Sequence, residues 1–362
     1  MPTTKRVLLA MSGGLDSSMC AVLLQQRGYQ VIGITMKLWE YPQTCSSARS
    51  ACCDIDAIND ARQLAVKLNI PHYVLDYTKE FKDLVINNFV DEYLHARTPN
   101  PCIRCNIFLK WKALLEKAKQ LQCDYIATGH YAQIGTHNGR YYIRKGKDAQ
   151  KDQSYVLWGL SQTDLAQTLF PLGEYLKEDV RQMASELGFQ QLASKRESYD
   201  ICFIPDNNYS QFLETQSYGL QEQYKNGNVL DTEGNIIGKH KGFPFYTIGQ
   251  RKGLNLAFGV PKYVCKISAQ KNEITLGDKS DLLSNSLIIK DINLLKYEQL
   301  PSPFEGVVKI RYRDKGEWAK ITQESDYLIV KFKNPVSAIT PGQSAVIYEE
   351  NDVVGGGIIE LL

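Results

Sequence analysis

The residues with the clearest chemical potential form a glycine- and serine-rich loop near the start of the chain, Ser12-Gly13-Gly14-Leu15-Asp16-Ser17-Ser18. Successive glycines allow backbone N–H groups to converge on an anion, where a Cβ atom would obstruct the approach. A helix expected at 17–27 points its positive end at the same place. Because the loop lacks the lysine of the G-x-x-x-x-G-K-[ST] pattern, it is not built around a γ-phosphate. The pattern therefore predicts a phosphate site, and a plain glycine turn is the alternative.

The second candidate for chemistry is a pair of cysteines, Cys102 and Cys105, in a proline-stiffened stretch expected to be a loop ahead of a helix. The helix start and Arg104 would lower the pKa of a thiol there and favour the thiolate. A sulfur nucleophile and a metal ligand both require that form. Cys202 lies between apolar neighbours, and taken alone this predicts a packed side chain.

The other six cysteines carry weaker signals. Three fall in an expected loop without a partner pair at zinc-finger spacing, and we interpret them as incidental: Cys45, Cys52 and Cys53. Three fall in helix or strand patterns and are expected in the core: Cys20, Cys123 and Cys265.

Composition limits the classes of protein that the chain can represent. Its 362 residues predict two or three domains, since single cores rarely exceed roughly 250–300 residues. A net charge of +2 gives no global basic field, so any RNA contact must come from local patches. No apolar stretch is long enough for a membrane span, and no signal peptide is evident. An odd number of cysteines without an export signal favours a reducing compartment, and we expect a bacterial cytoplasm.

The elements that must position these residues alternate in type through the first half of the chain. Strands are expected at 7–11, 31–36, 72–76 and 124–128, and helices at 17–27, 54–68, 78–95 and 107–121. This rhythm predicts an α/β fold with a doubly wound, mostly parallel sheet. Ligands of such sheets lie beyond the carboxyl ends of the strands, where the sequence places Met11, Met36 and Gly129.

The second half changes character. Helices are expected near 161–168 and 177–187, followed by a stretch at 205–280 that is richer in glycine, asparagine and proline. Short alternating strands after about residue 285 predict a small β-barrel or sandwich. We therefore expect a catalytic domain at 1–204, a small mixed central domain at 205–284 and a β-barrel at 285–362.

Eight short motifs, in order along nearly the whole chain, resemble those of the tRNA-specific 2-thiouridylases. They are Ala10 to Ser18, Thr35 to Glu40, Thr98-Pro99-Asn100-Pro101 with Cys105-Asn106, Ala127 to Tyr131, Lys151 to Tyr155, Ile201 to Ile204, Gly249 to Gly253, and Pro341-Gly342-Gln343. The first resembles the pyrophosphate loop of adenine nucleotide α-hydrolase-like enzymes, which split ATP between its α- and β-phosphates.

The resemblance implies a reaction in which ATP, with Mg²⁺, adenylates O2 of the wobble uridine of tRNA, and sulfur then replaces AMP. It implies Cys105 as nucleophile and Cys202 as persulfide carrier. ATP would be held by Ala10, Met11, Ser12, Gly13, Gly14, Leu15, Asp16, Ser17, Met36 and Gly129; the target base by Asn100, Pro101 and Cys102; and tRNA by His130, Lys151, Asp152, Gln153, Arg311, Tyr312 and Gln343. Further expected partners are tRNAs for Glu, Gln and Lys and a sulfur donor, such as a cysteine desulfurase or a relay protein.

One position departs from the family pattern, because many members have aspartate where this chain has Cys102. The resulting C-x-x-C pair, with Cys202, could alternatively hold a [4Fe–4S] cluster whose open iron binds hydrosulfide. Persulfide and cluster mechanisms therefore both remain, with the C-x-x-C form favouring the cluster, and a structural zinc is a weaker third option because no fourth ligand is evident.

Two other functional classes compete with thiolation. An amidating ligase or lysidine-type synthase would use the same ATP loop but needs no paired cysteines. A nucleotide-gated tRNA-binding protein would use its cysteines for structural metal and would release no pyrophosphate in sustained turnover.

Overall fold

The described part of the chain contains seventeen strands that form three sheets. The computed structural model describes residues 4–40, 55–195, 201–204, 208–254 and 259–360, so Cys45, Cys52 and Cys53 lie outside the described residues. The strands of the first half are β1 (Arg6–Ala10), β2 (Gln30–Lys37), β3 (His72–Asp76), β4 (Tyr125–Ala127), β5 (Ala132–His137), β6 (Arg140–Lys145) and β7 (Thr168–Leu169).

The first sheet has five strands in the order β3-β2-β1-β4-β7, and every neighbouring pair is parallel. Successive residues of β1 supply two different cores. Val7 and Leu9 pack with the helix Leu15–Gln26, whereas Leu8 packs with Ile103 and Trp111 on the other face. Both faces are therefore covered by helices, and the expected doubly wound α/β fold is confirmed.

Helical segments separate these strands and continue beyond them. Their bounds are Leu15–Gln26, Ile55–Lys67, Thr78–Phe81, Lys82–Ile86 (π-helical), Asn87–Leu94, Pro101–Cys105, Asn106–Lys110 (π-helical), Trp111–Gln120, Ser154–Leu157 (3₁₀), Gln162–Ala166, Lys177–Glu186, Gln190–Ala193, Tyr209–Gln216, Leu220–Tyr224, Phe243–Phe245 (3₁₀) and Lys279–Leu282 (3₁₀). Within the part of the chain that the structure describes, no helix has both the length and the apolar character needed to cross a bilayer.

Three consecutive helical segments, Pro101–Cys105, Asn106–Lys110 and Trp111–Gln120, form what we call the cysteine helix. The sequence analysis expected this helix to begin at residue 107 and placed Cys102 and Cys105 in a loop, and that expectation is wrong. Asn100 caps the helix by accepting hydrogen bonds from the backbone N–H groups of Cys102 (3.1 Å) and Ile103 (3.3 Å). Pro101 at the first helical position fits there, since it has no N–H to leave unpaired.

The remaining strands build the central and C-terminal sheets. The central sheet is formed by β8 (Gly227–Leu230), β9 (Ile236–His240), β10 (Tyr263–Ser268) and β11 (Glu273–Gly277). Six further strands close into a barrel through pairing of the first with the last: β12 (Leu283–Leu294), β13 (Phe304–Lys309), β14 (Glu317–Gln323), β15 (Leu328–Ser337), β16 (Ser344–Glu349) and β17 (Asp352–Glu360). The expected C-terminal β-barrel is confirmed.

The hairpin β5–β6 joins the first half of the chain to this barrel, and the sequence analysis did not foresee it. Strand β6 pairs with β17, with Arg144 opposite Asp352. Asp352 also accepts a hydrogen bond from Lys296 at 2.7 Å, and both of these side chains are about nine-tenths buried. Burial alone would raise the pKa of Asp352, but the hydrogen bonds from Arg144 and Lys296 hold it below its ordinary value.

We expect Asp352→Ala to lower the free energy of unfolding of the barrel by about 3 kcal/mol, because it leaves the buried Lys296 ammonium with less compensation. Urea unfolding followed by tryptophan fluorescence measures the change. Glu222→Ala removes an exposed ion pair with Lys225 and serves as the control, with an expected loss of at most about 0.5 kcal/mol.

The comparison between wild type and Asp352→Ala should also depend on pH. The folded pKa of Asp352 is depressed, so its contribution is present above the unfolded pKa and is lost as the pH falls through the folded value. The stability difference between wild type and Asp352→Ala should therefore shrink in acid. A difference that stays constant down to the acid limit would contradict this account.

Candidate functional site

The glycine- and serine-rich loop lies beyond the carboxyl end of β1, where the helix Leu15–Gln26 begins. Ser17 accepts a hydrogen bond from the backbone N–H of Ser12 at 3.1 Å, which closes the loop on itself. Gly13 has a φ of +67°, and a Cβ atom there would lie 2.1 Å from the carbonyl oxygen of Ala57. The loop conformation therefore requires glycine at this position.

The strand ends around the loop come together as the sequence predicted. Gly129, after β4, lies so close that a Cβ atom would approach the backbone nitrogen of Ser17 to 3.1 Å. The Thr35 hydroxyl donates to the carbonyl of Met11 at 2.8 Å, and Met36 follows Thr35 at the end of β2. Backbone groups of three adjacent strands thus border one edge of the sheet, the usual place for a nucleotide in this kind of fold.

Asp16 of the loop is held by two side chains. Its carboxylate accepts hydrogen bonds from the Tyr131 hydroxyl at 2.9 Å and from the Lys177 ammonium at 2.6 Å. Lys177 is 6% exposed, which is rare for a lysine and is tolerated because the charge is paired. The arrangement places a fixed positive charge beside the predicted phosphate site.

A second lysine contacts the other side of the loop. Lys195 donates to the Gly13 carbonyl at 2.9 Å and to the Asp60 carboxylate at 2.7 Å. The sequence analysis missed both Lys177 and Lys195. A lone lysine far along the chain carries no local pattern, so only the tertiary fold reveals its position beside the loop.

Two of the three candidate cysteines share one apolar cluster. Cys105 is buried in it, and half-buried Cys202 packs against it together with Leu109 and Phe203. The Phe203 ring lies 5.1–5.5 Å, between ring centroids, from three other phenylalanines: Phe81, Phe89 and Phe212. This aromatic packing anchors the segment that carries Cys202 against the helices Thr78–Phe81, Asn87–Leu94 and Tyr209–Gln216.

Cys102 has a different environment, since its side chain is exposed near the start of the cysteine helix. Its charge would act on Tyr312 of the barrel, whose pKa is raised chiefly by burial and also by nearby anionic groups, Cys102 among them. The neighbouring Arg104 does not stand over the thiols. It donates to the Leu84 carbonyl at 2.6 Å and lies over the Phe108 ring.

The described residues contain no group of three or more histidine, cysteine, aspartate or glutamate side chains arranged to hold a metal ion. Cys102, Cys105 and Cys202 are all described, and in this structure they do not form such a group: Cys102 is exposed, Cys202 half-buried and Cys105 buried. A Mg²⁺ ion needs no such cage, because it commonly binds substrate phosphates with one or two carboxylates. Asp16 is the carboxylate in the loop.

The residues near β4 and β6 that are expected to contact tRNA also make contacts within the protein, and one of them supports the nucleotide loop. Gln153 accepts a hydrogen bond from the Tyr131 N–H at 2.9 Å, and thereby positions the tyrosine that binds Asp16. Asp152 accepts from Ser154 and from the Gly146 N–H, and Lys151 belongs to the same turn. Burial, with a smaller effect from Lys110, lowers the pKa of His130 to about 3.

The expected contacts on the barrel face the loop before the cysteine helix. The Gln343 amide donates to the carbonyls of Thr98 (2.8 Å) and Pro99 (3.3 Å), which ties the barrel to that loop. Arg311 donates to the Ser337 carbonyl and is exposed, and Tyr312 is 38% exposed. No bound RNA tests these assignments, and they stay predictions.

Comparison with known proteins gives matches along the whole chain. Family models described as the tRNA methyl transferase HUP domain, the tRNA methyl transferase PRC-barrel domain and the aminomethyltransferase β-barrel domain match residues 5–206, 214–278 and 284–359. The tRNA-specific 2-thiouridylase MnmA of Cytophaga hutchinsonii is 50% identical over 98% of this chain and 97% of its own. Those of Amoebophilus asiaticus and Salinibacter ruber are 50% and 49% identical, over 98% of this chain and 95% and 94% of theirs.

Fold and site together define a HUP-class nucleotide-binding protein, in which a phosphate loop and two packed cysteines belong to one parallel-sheet domain joined to two smaller β domains. At this level of identity over nearly the full length, the chain belongs to the tRNA-specific 2-thiouridylase family. The resemblance drawn from the eight sequence motifs is thereby confirmed.

We expect Gly13→Ala to weaken ATP binding by at least ~10-fold, because the new Cβ atom would force the loop away from Ala57. Gly28→Ala is a matched control: Gly28 has a φ of +81°, and nothing lies within 4 Å of its would-be Cβ atom. It carries the same backbone strain without the clash. Isothermal titration with a non-hydrolysable ATP analogue measures both, and equal losses in the two variants would show that strain alone is responsible.

Proposed function

We propose that this protein performs the reaction of its family: ATP-dependent 2-thiolation of the wobble uridine of tRNA, as a tRNA sulfurtransferase. The proposal rests on one observation. The domain that contains the phosphate loop also brings Cys105 and Cys202 to one apolar cluster. The family models are described as methyl transferase domains, but the relatives that match nearly the whole chain are named thiouridylases, which favours sulfur transfer.

The first chemical step makes a leaving group. The O2 oxygen of uridine attacks the α-phosphorus of ATP, an O–P bond forms, and pyrophosphate leaves with the electrons of the broken bond. The loop N–H groups and Ser12 and Ser17 bind the phosphates, and strand-end residues such as Met36 and Gly129 border the nucleoside. Lys177 contacts Asp16 and Lys195 contacts Gly13 of the loop, where positive charge stabilises the departing pyrophosphate.

The target base must leave its stack to reach the nucleotide, at a cost of a few kcal/mol that is smaller in a single-stranded loop. Asn100, Pro101 and Cys102 form the start of the cysteine helix and would flank this base. The Asn100 oxygen already caps the helix, so the backbone at this point is fixed before the base arrives. Fixed groups reduce the ordering cost of binding.

The second step transfers sulfur. The terminal sulfur of a Cys202 persulfide attacks C2, and AMP leaves with the C2–O2 bond electrons. The Cys105 thiolate then attacks the Cys202 sulfur, which releases 2-thiouridine and leaves a Cys105–Cys202 disulfide that a cellular dithiol must reduce. Division of one hard substitution into easier steps is the usual advantage of covalent catalysis. The common apolar cluster of the two cysteines supports this assignment.

The partners are those that the resemblance to the family implies. A sulfur donor, such as a cysteine desulfurase or a relay protein, must load Cys202, and the expected substrates are tRNAs for Glu, Gln and Lys in the cytoplasm. Mg²⁺ would arrive with the phosphates of ATP near Asp16. The cluster mechanism is the second candidate: the C-x-x-C pair motivates it, and the arrangement of the cysteines does not support it.

The test of the proposal is nucleoside mass spectrometry on a tRNA with a wobble uridine, after anaerobic reaction with ATP, a dithiol reductant, and a cysteine desulfurase supplied with cysteine as the persulfide donor. The protein is supplied as purified and after iron chelation. Thiouridine in both samples supports the function and the persulfide route, and thiouridine lost on chelation and restored with a cluster supports the alternative. If folded protein binds tRNA but never produces thiouridine, the function itself is wrong and a ligase becomes the better candidate.

We expect Cys105→Ala and Cys202→Ala to abolish thiouridine formation, a loss of at least ~100-fold, because each removes a covalent participant. Pyrophosphate release that depends on tRNA should persist, since adenylation precedes sulfur transfer. Cys265→Ala removes another half-buried thiol, on β10, and should leave both activities near the wild-type values. Retention of thiolation by the Cys105 variant would contradict the proposed role of that residue.

A further inference from the structure

A cavity of about 540 Å³ lies where the helix Asn87–Leu94, the cysteine helix and the barrel meet. Ile103, Arg104 and Ile107 line it on the cysteine helix, so it opens on a face that does not include Cys105. Its size is within the range of small-molecule and single-nucleotide sites. None of the groups assigned above to ATP or sulfur line this cavity.

The walls combine apolar surface with balanced charge. Ile107, Trp158 and Ile358 supply apolar area. The charged residues of the lining are two acids and two bases, Glu92 and Asp291 with Arg97 and Arg104, and Glu92 and Arg97 are paired at 2.7 Å. Such a site favours a flat, uncharged ligand with hydrogen-bonding edges over a phosphate group. A nucleobase has this chemistry.

One aromatic residue of the lining, Phe108, is flanked by two cations, a combination that suits single-stranded RNA. Phe108 is 37% exposed, the Arg104 guanidinium lies 4.6 Å from its ring centroid, and the Lys112 ammonium lies 5.4 Å from it. The hydrogen bond from Arg104 to the Leu84 carbonyl fixes the guanidinium plane. Aromatic rings and arginine planes stack on bases, and lysine attracts the backbone phosphates.

We infer that this cavity, which we call the junction cavity, holds the anticodon-loop base adjacent in sequence to the target uridine. Its position supports the assignment, because Pro99 and Asn100 line the junction cavity and Asn100 also begins the segment proposed to flank the target base. A single-stranded RNA can turn one base to each side of this short loop. The inference rests on the proposed function and adds a substrate subsite to it.

The test is a double-mutant cycle between protein and RNA. Anticodon stem–loops are prepared with an abasic nucleotide on the 5′ side or on the 3′ side of the target uridine. Binding is measured by fluorescence anisotropy with wild type, Phe108→Ala and Asn88→Ala, the second of which alters the opposite helical wall. Trp318→Ala serves as the control, since Trp318 is an exposed aromatic residue on β14 outside the cavity.

We expect Phe108→Ala and Asn88→Ala to weaken binding of the intact stem–loop by about 5- to 20-fold, the scale of one base contact, with ATP affinity unchanged. With one of the two abasic stem–loops, the same variants should bind less than about twofold more weakly than the wild type, because the base they contact is already absent. The inference is wrong if the variants weaken binding of both abasic RNAs as much as that of the intact stem–loop. It is also wrong if their effect on the intact stem–loop equals that of Trp318→Ala.

Thiolation by the wild type, measured in parallel by nucleoside mass spectrometry, separates this inference from the proposed function. If the wild type thiolates the stem–loop but the double-mutant cycle shows no coupling, the base subsite is refuted and the proposed function is not. If the wild type neither binds nor thiolates the stem–loop, the proposed function and the inference fail together. Binding of free nucleosides to the cavity with the same dependence on Phe108, but without coupling to the RNA, would assign it to a small molecule instead.

Discussion

The carboxylate of Asp16 joins three parts of the catalytic domain at the nucleotide loop. Its partners are Tyr131, which follows β4, and Lys177, which begins a helix far along the chain. Gln153 in turn holds the backbone of Tyr131. Because an unpaired buried charge is costly, the burial of Lys177 depends on this carboxylate. The shape of the phosphate site therefore depends on one ionic contact between segments that have no sequence proximity.

The barrel completes the site without contributing to the parallel sheet. Gln343 and Pro341 bond to the backbone of Thr98 and Pro99 immediately before the cysteine helix, through the Gln343 amide and the Pro341 carbonyl. A loop has fewer internal contacts than a helix to fix its conformation. The loop before the cysteine helix is therefore held in place by its contacts with the barrel. Through these contacts, a segment near the end of the chain supports the loop that leads into Asn100 and the cysteine helix.

The sequence predicted the parts of the fold that depend on local pattern. The first four strands are within two residues of their expected ends, since short apolar runs between turn residues are a strong local signal. The start of the cysteine helix was missed although Asn100 and Pro101 are good capping residues, because the prolines were interpreted as a loop. The hairpin β5–β6 was missed although its Asn138-Gly139 turn is a local hairpin signal; only the pairing of β6 with β17, some two hundred residues away, lies beyond local pattern. Lys177 and Lys195 were missed because their roles arise from tertiary contacts.

The hairpin β5–β6 also determines where the chain could be divided. By sequence the hairpin belongs to the first half of the chain, but β6 pairs with β17, and Arg144 forms an ion pair with Asp352. A fragment that ended at residue 204 would keep the nucleotide loop and lose this partner strand, leaving a hydrogen-bonding edge and an uncompensated arginine exposed. Open strand edges recruit other chains. The nucleotide domain and the barrel are thus structurally continuous through this hairpin, although separate family models match them.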